Sequence, residues 1–275
     1  MGLDAYVPCN CYREGKTKTP PPIQEELYMD EDGFLRPVRY RGIPYDELKD
    51  DEEFQKIYDD LYDWQTNACE HKDGEYASER VGNWSTARYF TWVVRQFPEG
   101  SFPLLIDLLP GSNGGSVPAK DAPEILRELA ELQKRLLEIK GFFLVDGMKD
   151  QVLYDGSDYL DGNFAWIDKQ ILGFDKDGLY VLDRETEELL FKAKEVMETV
   201  ETDEDGTKHT LWTDVSDLEN KIVVNHNPIS ELEDGVVGYL KVEIRPMSVD
   251  DVYAIEPLER LFKASIETGN PVFWS

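Results

Sequence analysis

Cysteine and histidine are both scarce here, with three of each in 275 residues. Three thiols cannot build the dense disulfide framework of a small secreted protein. Cys9 and Cys11 are also poor partners for one another, since on an extended strand their Cα atoms stand roughly 6.5–7 Å apart, at the limit for a disulfide. Positive charge is in short supply as well. Lys and Arg number 29 against 57 Asp and Glu, a net charge of −28, which argues against binding nucleic acid or an anionic membrane through the general surface. No apolar run approaches the roughly 18 residues of a membrane helix, and the first residues lack the basic-then-apolar pattern of a secretion signal. The expectation is a soluble, cytoplasmic protein. No G-x-S-x-G, H-E-x-x-H or P-loop motif occurs.

The few soft donors are not scattered. Cys9 and Cys11 form a C-x-C, and Cys69 and His71 form a C-x-H sixty residues later. Three thiols and an imidazole make four donors, the number that a tetrahedral zinc site needs. Residues i and i+2 of a strand share a face, so each pair could serve one ion. The alternative is that the cysteines are buried small hydrophobes, and the single intervening residue departs from the usual C-x₂₋₄-C of structural zinc. Four protein ligands imply a closed, structural zinc. A zinc deaminase is excluded, because the H-x-E and P-C-x-x-C order and spacing both fail. A hydrolytic alternative keeps three ligands, takes Glu70 or Glu75 as base, and uses Arg80 and Arg88 to receive an anionic substrate. Glu70, Glu75 and Glu79 are the carboxylates within sequence reach of His71 as its support.

The hydrophobic pattern predicts an α+β chain with a helical N-terminal half. A first strand covers residues 3–12, and the proline-rich residues 16–24 form a loop. Helices follow over about 45–66, from a cap at Asn83 or Ser85, and from Asp121 to Lys140 with Gly141 as its stop. The apolar segment 102–109 reads as a buried helical turn, and the Gly-rich segment 111–115 as a connector. From residue 142 the period becomes two. Nine strand candidates (FFLVD, QVLYD, FAWID, GLYVLD, LLFKAKE, EVMETVE, HTLWTDV, KIVVNH and YLKVEIRP) suggest an antiparallel β-meander. Turns are expected at Asp30–Gly33 and in DKDG (175–178) and DEDG (203–206). A C-terminal helix runs from Pro257 to Thr268, ended by Gly269, and PVFWS returns as a strand. The change of period marks a helix-rich region 1–141 with the Cys/His site and a β-rich acidic region 142–275, though one α+β domain fits as well.

Charge is uneven. Residues 1–140 carry 17 basic and 27 acidic side chains, and residues 141–275 carry 12 and 30. Such a surface suits a basic protein partner as well as plain solubility. The opening MGLDAYVPCNCY, the Cys69-Glu70-His71 block, and Gly82-Asn83-Trp84-Ser85 with Arg88 together resemble a family of bacterial proteins with no established activity. The resemblance covers roughly the first half and implies no catalytic residue. In size and acidity the chain is similar to the immunity proteins of bacterial toxin systems. The functional expectation is a non-enzymatic binding protein with a structural Cys/His zinc site at Cys9, Cys11, Cys69 and His71, the alternative being a metal-dependent hydrolase around Cys69, His71, Arg80 and Arg88.

Overall fold

The computed structural model describes residues 2–30, 34–112, 114–155, 162–202, 206, 208–230 and 237–275. In chain order the first half contains β1 (Leu3–Pro8), β2 (Leu27–Met29), β3 (Leu35–Pro37), α1 (Tyr45–Leu48), α2 (Glu52–Asn67), β4 (Glu75–Gly82), α3 (Trp84–Arg95), β5 (Ser116–Val117) and α4 (Ala122–Arg135). There follow β6 (Lys140–Asp146), β7 (Gln151–Asp155), β8 (Asn163–Ile167), β9 (Gln170–Asp175), β10 (Gly178–Asp183), β11 (Leu189–Ala193), β12 (Glu195–Thr202), β13 (Lys208–Asp214), β14 (Lys221–Val224), β15 (Gly238–Pro246), α5 (Ile255–Thr268) and β16 (Val272–Trp274). With 30% helix and 34% strand the chain is mixed α+β. The helical N-terminal half is not borne out, because strands run through it from Leu3 onward and supply three of the four members of its main sheet. Among the described residues no helix is long and apolar enough to cross a membrane.

The chain divides into two compact units, Met1–Lys134 with Val252–Ser275, and Arg135–Asp251. In the first, a four-stranded sheet has the order β4-β1-β16-β5, every pair antiparallel. Leu3, Ala5 and Val7 alternate along β1 and are almost completely buried, the period-two pattern of a strand with one covered face. Helix α5 packs on β1 and β4, burying Leu258, Leu261 and Phe262. Gly269 takes the left-handed conformation (φ 69°) and donates to Ser265 O, closing α5 at the expected residue. The helix expected over 45–66 is broken at residues 49–51, where Asp51 is extended and its carboxylate accepts from the Glu53 and Phe54 amides, so a better N-cap starts α2 afresh. Helix α3 opens on a capping box between Asn83 and Thr86. In the 102–109 segment Phe102, Leu105 and Leu108 are buried, and Glu128 from α4 accepts from the Leu104 and Leu105 amides.

Two element ends differ from expectation. Helix α4 stops at Arg135, and Gly141 lies inside β6 opposite Arg245. A Cβ there would meet the Phe143 ring at 2.7 Å, so this glycine serves strand packing rather than a helix stop. The strand expected to reach residue 12 ends at Pro8.

The second unit holds two antiparallel sheets, β14-β13-β12-β15-β6-β7 and β11-β10-β9-β8. The nine strand candidates are all strands, but β15 inserts between β12 and β6, so the larger sheet is not a simple meander. Strand β9 was not among the candidates. The DKDG turn joins β9 to β10, its Asp175 accepting from the Asp177 amide. DEDG (203–206) and the turn after Asp30 lie largely outside the described residues, although β2 and β3 do pair across the latter. Trp212, Phe174, Leu144 and Leu240 centre the core. Glu198, fully buried, accepts from Trp212 Nε1 and the Ile229 amide through Oε1 and from the Ser230 amide through Oε2. Glu198→Gln turns an NH₂ group toward one of these donors. It should lower the unfolding free energy by about 2 kcal/mol or more, and an unchanged urea midpoint would refute this role.

Candidate metal centre

Pairing of β1 with β4 creates the site. The ladder places Val7 opposite Ala77 and Pro8 opposite Glu75, so the end of β1 lies beside the start of β4. Cys9 and Cys11 come immediately after the first, and Cys69 and His71 shortly before the second. Neither pair is on a strand, contrary to the same-face expectation. Cys9 leaves β1 with its amide on Gly74 O at 2.8 Å. Cys11 opens a turn in which its carbonyl accepts from the Lys16 amide. The Lys18 amide then bonds Ala68 O, next to Cys69. On the other side, Asp73 and Gly74 both take positive φ (54° and 73°). Glycine relieves that strain at the second position, and the reversal turns His71 back toward the thiols.

The four donors converge. Cys9 Sγ lies 3.7 Å from Cys69 Sγ, Cys11 Sγ lies 3.3 Å from His71 Nδ1, and Cys69 Sγ lies 3.7 Å from the same nitrogen. All four ligand atoms fall within 4.8 Å of one another. A tetrahedral ion with bonds of about 2.3 Å to sulfur and about 2.0–2.1 Å to nitrogen has edges of about 3.8 Å between sulfurs and about 3.6 Å between sulfur and nitrogen. Three of the six separations lie within about 0.3 Å of those edges, and the whole set is held within 4.8 Å, so these residues could hold a metal ion. All three thiols are free, with Cys11 and Cys69 buried and Cys9 half-buried. Burial pushes the Cys9 thiol up to about 12, the neighbouring Cys69 and Cys11 thiols adding to it, and burial likewise raises Cys11. A divalent cation reverses this logic, because it stabilises the thiolates that the site otherwise disfavours.

The remaining sequence candidates lie elsewhere. Arg80 pairs in register with Asp4, five residues up β1 from Cys9, or about 16 Å along the strand. Its guanidinium reaches Asp4 at 3.8 Å. Arg88 bonds Ser85 on its own helix. Glu79 is held by Arg260, and Glu75 by Ser78. None of the three nearby carboxylates is bonded to His71. The ring of Tyr76 stands 5.7 Å from the imidazole instead.

The sequence reading missed the asparagines that brace the first loop. Asn10 Nδ2 donates to Thr268 O, and Asn270 Nδ2 donates to Pro8 O and Asn10 Oδ1. Asn270 joins the site from the far end of the chain, so no local pattern could reveal it. No family model, curated protein or solved structure matches the chain.

The raised Cys9 value sets a pH dependence for the metal-free protein. The folded state holds this proton more tightly than the unfolded state, whose thiol titrates near 9.0. Its contribution is therefore complete below pH 9 and is lost as the pH rises toward 12. Urea midpoints measured across that window should fall more steeply for the parent than for Cys9→Ser, and parallel curves would refute it.

Proposed function

We propose that this chain is a non-catalytic binding protein whose first unit is stapled by a zinc ion held by Cys9, Cys11, Cys69 and His71. The observation that carries the reading is the convergence of three thiols and one imidazole nitrogen, all within 4.8 Å of one another, with three of their separations close to tetrahedral edges. Zinc is favoured over harder cations because thiolates dominate the donor set. Four protein donors fill the coordination sphere, which leaves no position for a reacting water. The metal would join the end of β1 to the loop between α2 and β4, fixing two segments sixty residues apart. Cytoplasmic residence suits free thiols of this kind. The acidic second half, with 30 acidic side chains against 12 basic ones in residues 141–275, suits a basic protein partner, as in an immunity-type interaction.

Elemental analysis of the purified chain should find a single zinc per molecule, and Cys69→Ser or His71→Ala should abolish it. Chelation should lower the melting temperature by about 5 °C or more. The cobalt-substituted protein should show thiolate-to-metal charge transfer and tetrahedral bands that azide leaves unchanged. Failure to bind zinc or cobalt would refute the metal centre. A spectrum that shifts with azide would refute the closed, structural role and favour the hydrolase.

A further inference from the structure

A cleft of about 380 Å³ adjoins the metal-bearing loops within the first unit. That size falls in the range of small-molecule sites. Cys9, Cys11 and Cys69 form part of one wall. Apolar surface comes from Trp64 and Tyr12, whose rings meet edge to face at 5.9 Å, and from Met29 and Phe273.

Two arginines, Arg13 and Arg41, also line it, and they are held unlike most arginines of this acid-rich chain. Arg36, Arg39, Arg127, Arg245 and Arg260 each hold a carboxylate. Arg13 is gripped instead by the side-chain oxygens of Asn10 and Asn270. Those amides are themselves oriented, because their NH₂ groups are committed to Thr268 O and Pro8 O. Arg41 lies over the face of Tyr28, 4.6 Å from the ring centroid. Among the described residues neither arginine has a carboxylate partner. Neutral acceptors and an aromatic face orient a guanidinium without cancelling its charge. The acid at the cleft wall, Asp30, is spent on Arg36 at 2.5 Å, both side chains being buried. A zinc with three thiolates would carry one net negative charge, which two guanidiniums without a carboxylate partner among the described residues outweigh, within a chain of net charge −28.

We propose that this cleft binds a small, flat organic anion of the aromatic carboxylate class, with its ring against Trp64 and Tyr12 and its carboxylate toward Arg13 and Arg41. Arginine suits that role because its planar fork matches a carboxylate. The site goes beyond the structural zinc and takes no coordination position on it.

The test uses the full, zinc-loaded chain with cinnamate and its uncharged counterpart cinnamamide, read by saturation-transfer NMR and calorimetry. Cinnamate should bind about tenfold more tightly than cinnamamide. Arg13→Gln and Arg41→Gln should each weaken cinnamate by about threefold to tenfold while leaving cinnamamide unchanged, and Arg88→Gln should leave both unchanged. Equal affinity for the two probes, no binding of cinnamate at millimolar concentration, or unaltered affinity in a folded Arg41→Gln chain would each overturn the proposal. Zinc content is measured in every sample. Zinc kept with no discrimination between the probes counts against the cleft alone, whereas discrimination without zinc counts against the metal centre alone.

Discussion

The antiparallel register of β1 on β4 is the constraint on which the first unit depends. It buries Leu3, Ala5 and Val7 on one face and brings Pro8 opposite Glu75. A slip by one residue would turn those three side chains to the other face. It would also displace the Cys9 loop from the His71 loop by about 3.3 Å, nearly a whole edge of the donor tetrahedron. The hydrophobic alternation of one six-residue strand therefore keeps the four candidate donors in register, although none of them lies on that strand. Backbone bonds from Cys9 to Gly74 and from Lys18 to Ala68 then lock the two loops together.

The loops gather three thiols, and burial opposes the ionisation of two of them, Cys9 and Cys11. Gathering groups that resist their own charged state is a local conflict, and such conflicts concentrate at functional sites. A bound cation would resolve it. The cleft next to it shows the opposite economy, with guanidiniums oriented by amides and an aromatic ring where carboxylates are plentiful elsewhere in the chain. Thiols and arginines are thus both set apart from the acidic background by what surrounds them, rather than by composition.

The four members of the cluster were legible as candidates because thiols and imidazoles are rare in this chain and occur in two pairs. Their convergence was not legible, since it follows from strand pairing across more than sixty residues and from the reversal at Asp73 and Gly74. The same-face strand argument for Cys9 and Cys11 fails because β1 ends at Pro8. Helix α5 was readable from Pro257 and Gly269, and most strands of the second unit from their period of two. Strand β9 escaped because Gly173 interrupts its pattern. A Cβ at that position would overlap the Tyr180 ring, so the glycine answers a packing demand from the neighbouring strand and signals no turn. Strands β2, β3 and β5 span only two or three residues, too few to carry any period, and the eight-residue β4, EYASERVG, also went unread because polar residues sit at many of its positions, so the first half read as helical.

Strand β16 sits between β1 and β5 in its sheet, and Asn270 just before it holds the carbonyl of Pro8. During synthesis β1 leaves the ribosome long before β16 and lacks this neighbour until almost all of the described chain has been made. The second unit, contiguous from Arg135 to Asp251, can close earlier. Emergence of the chain and completion of the fold therefore run in opposite orders, and the N-terminal cysteines remain only partly enclosed until the last strand arrives.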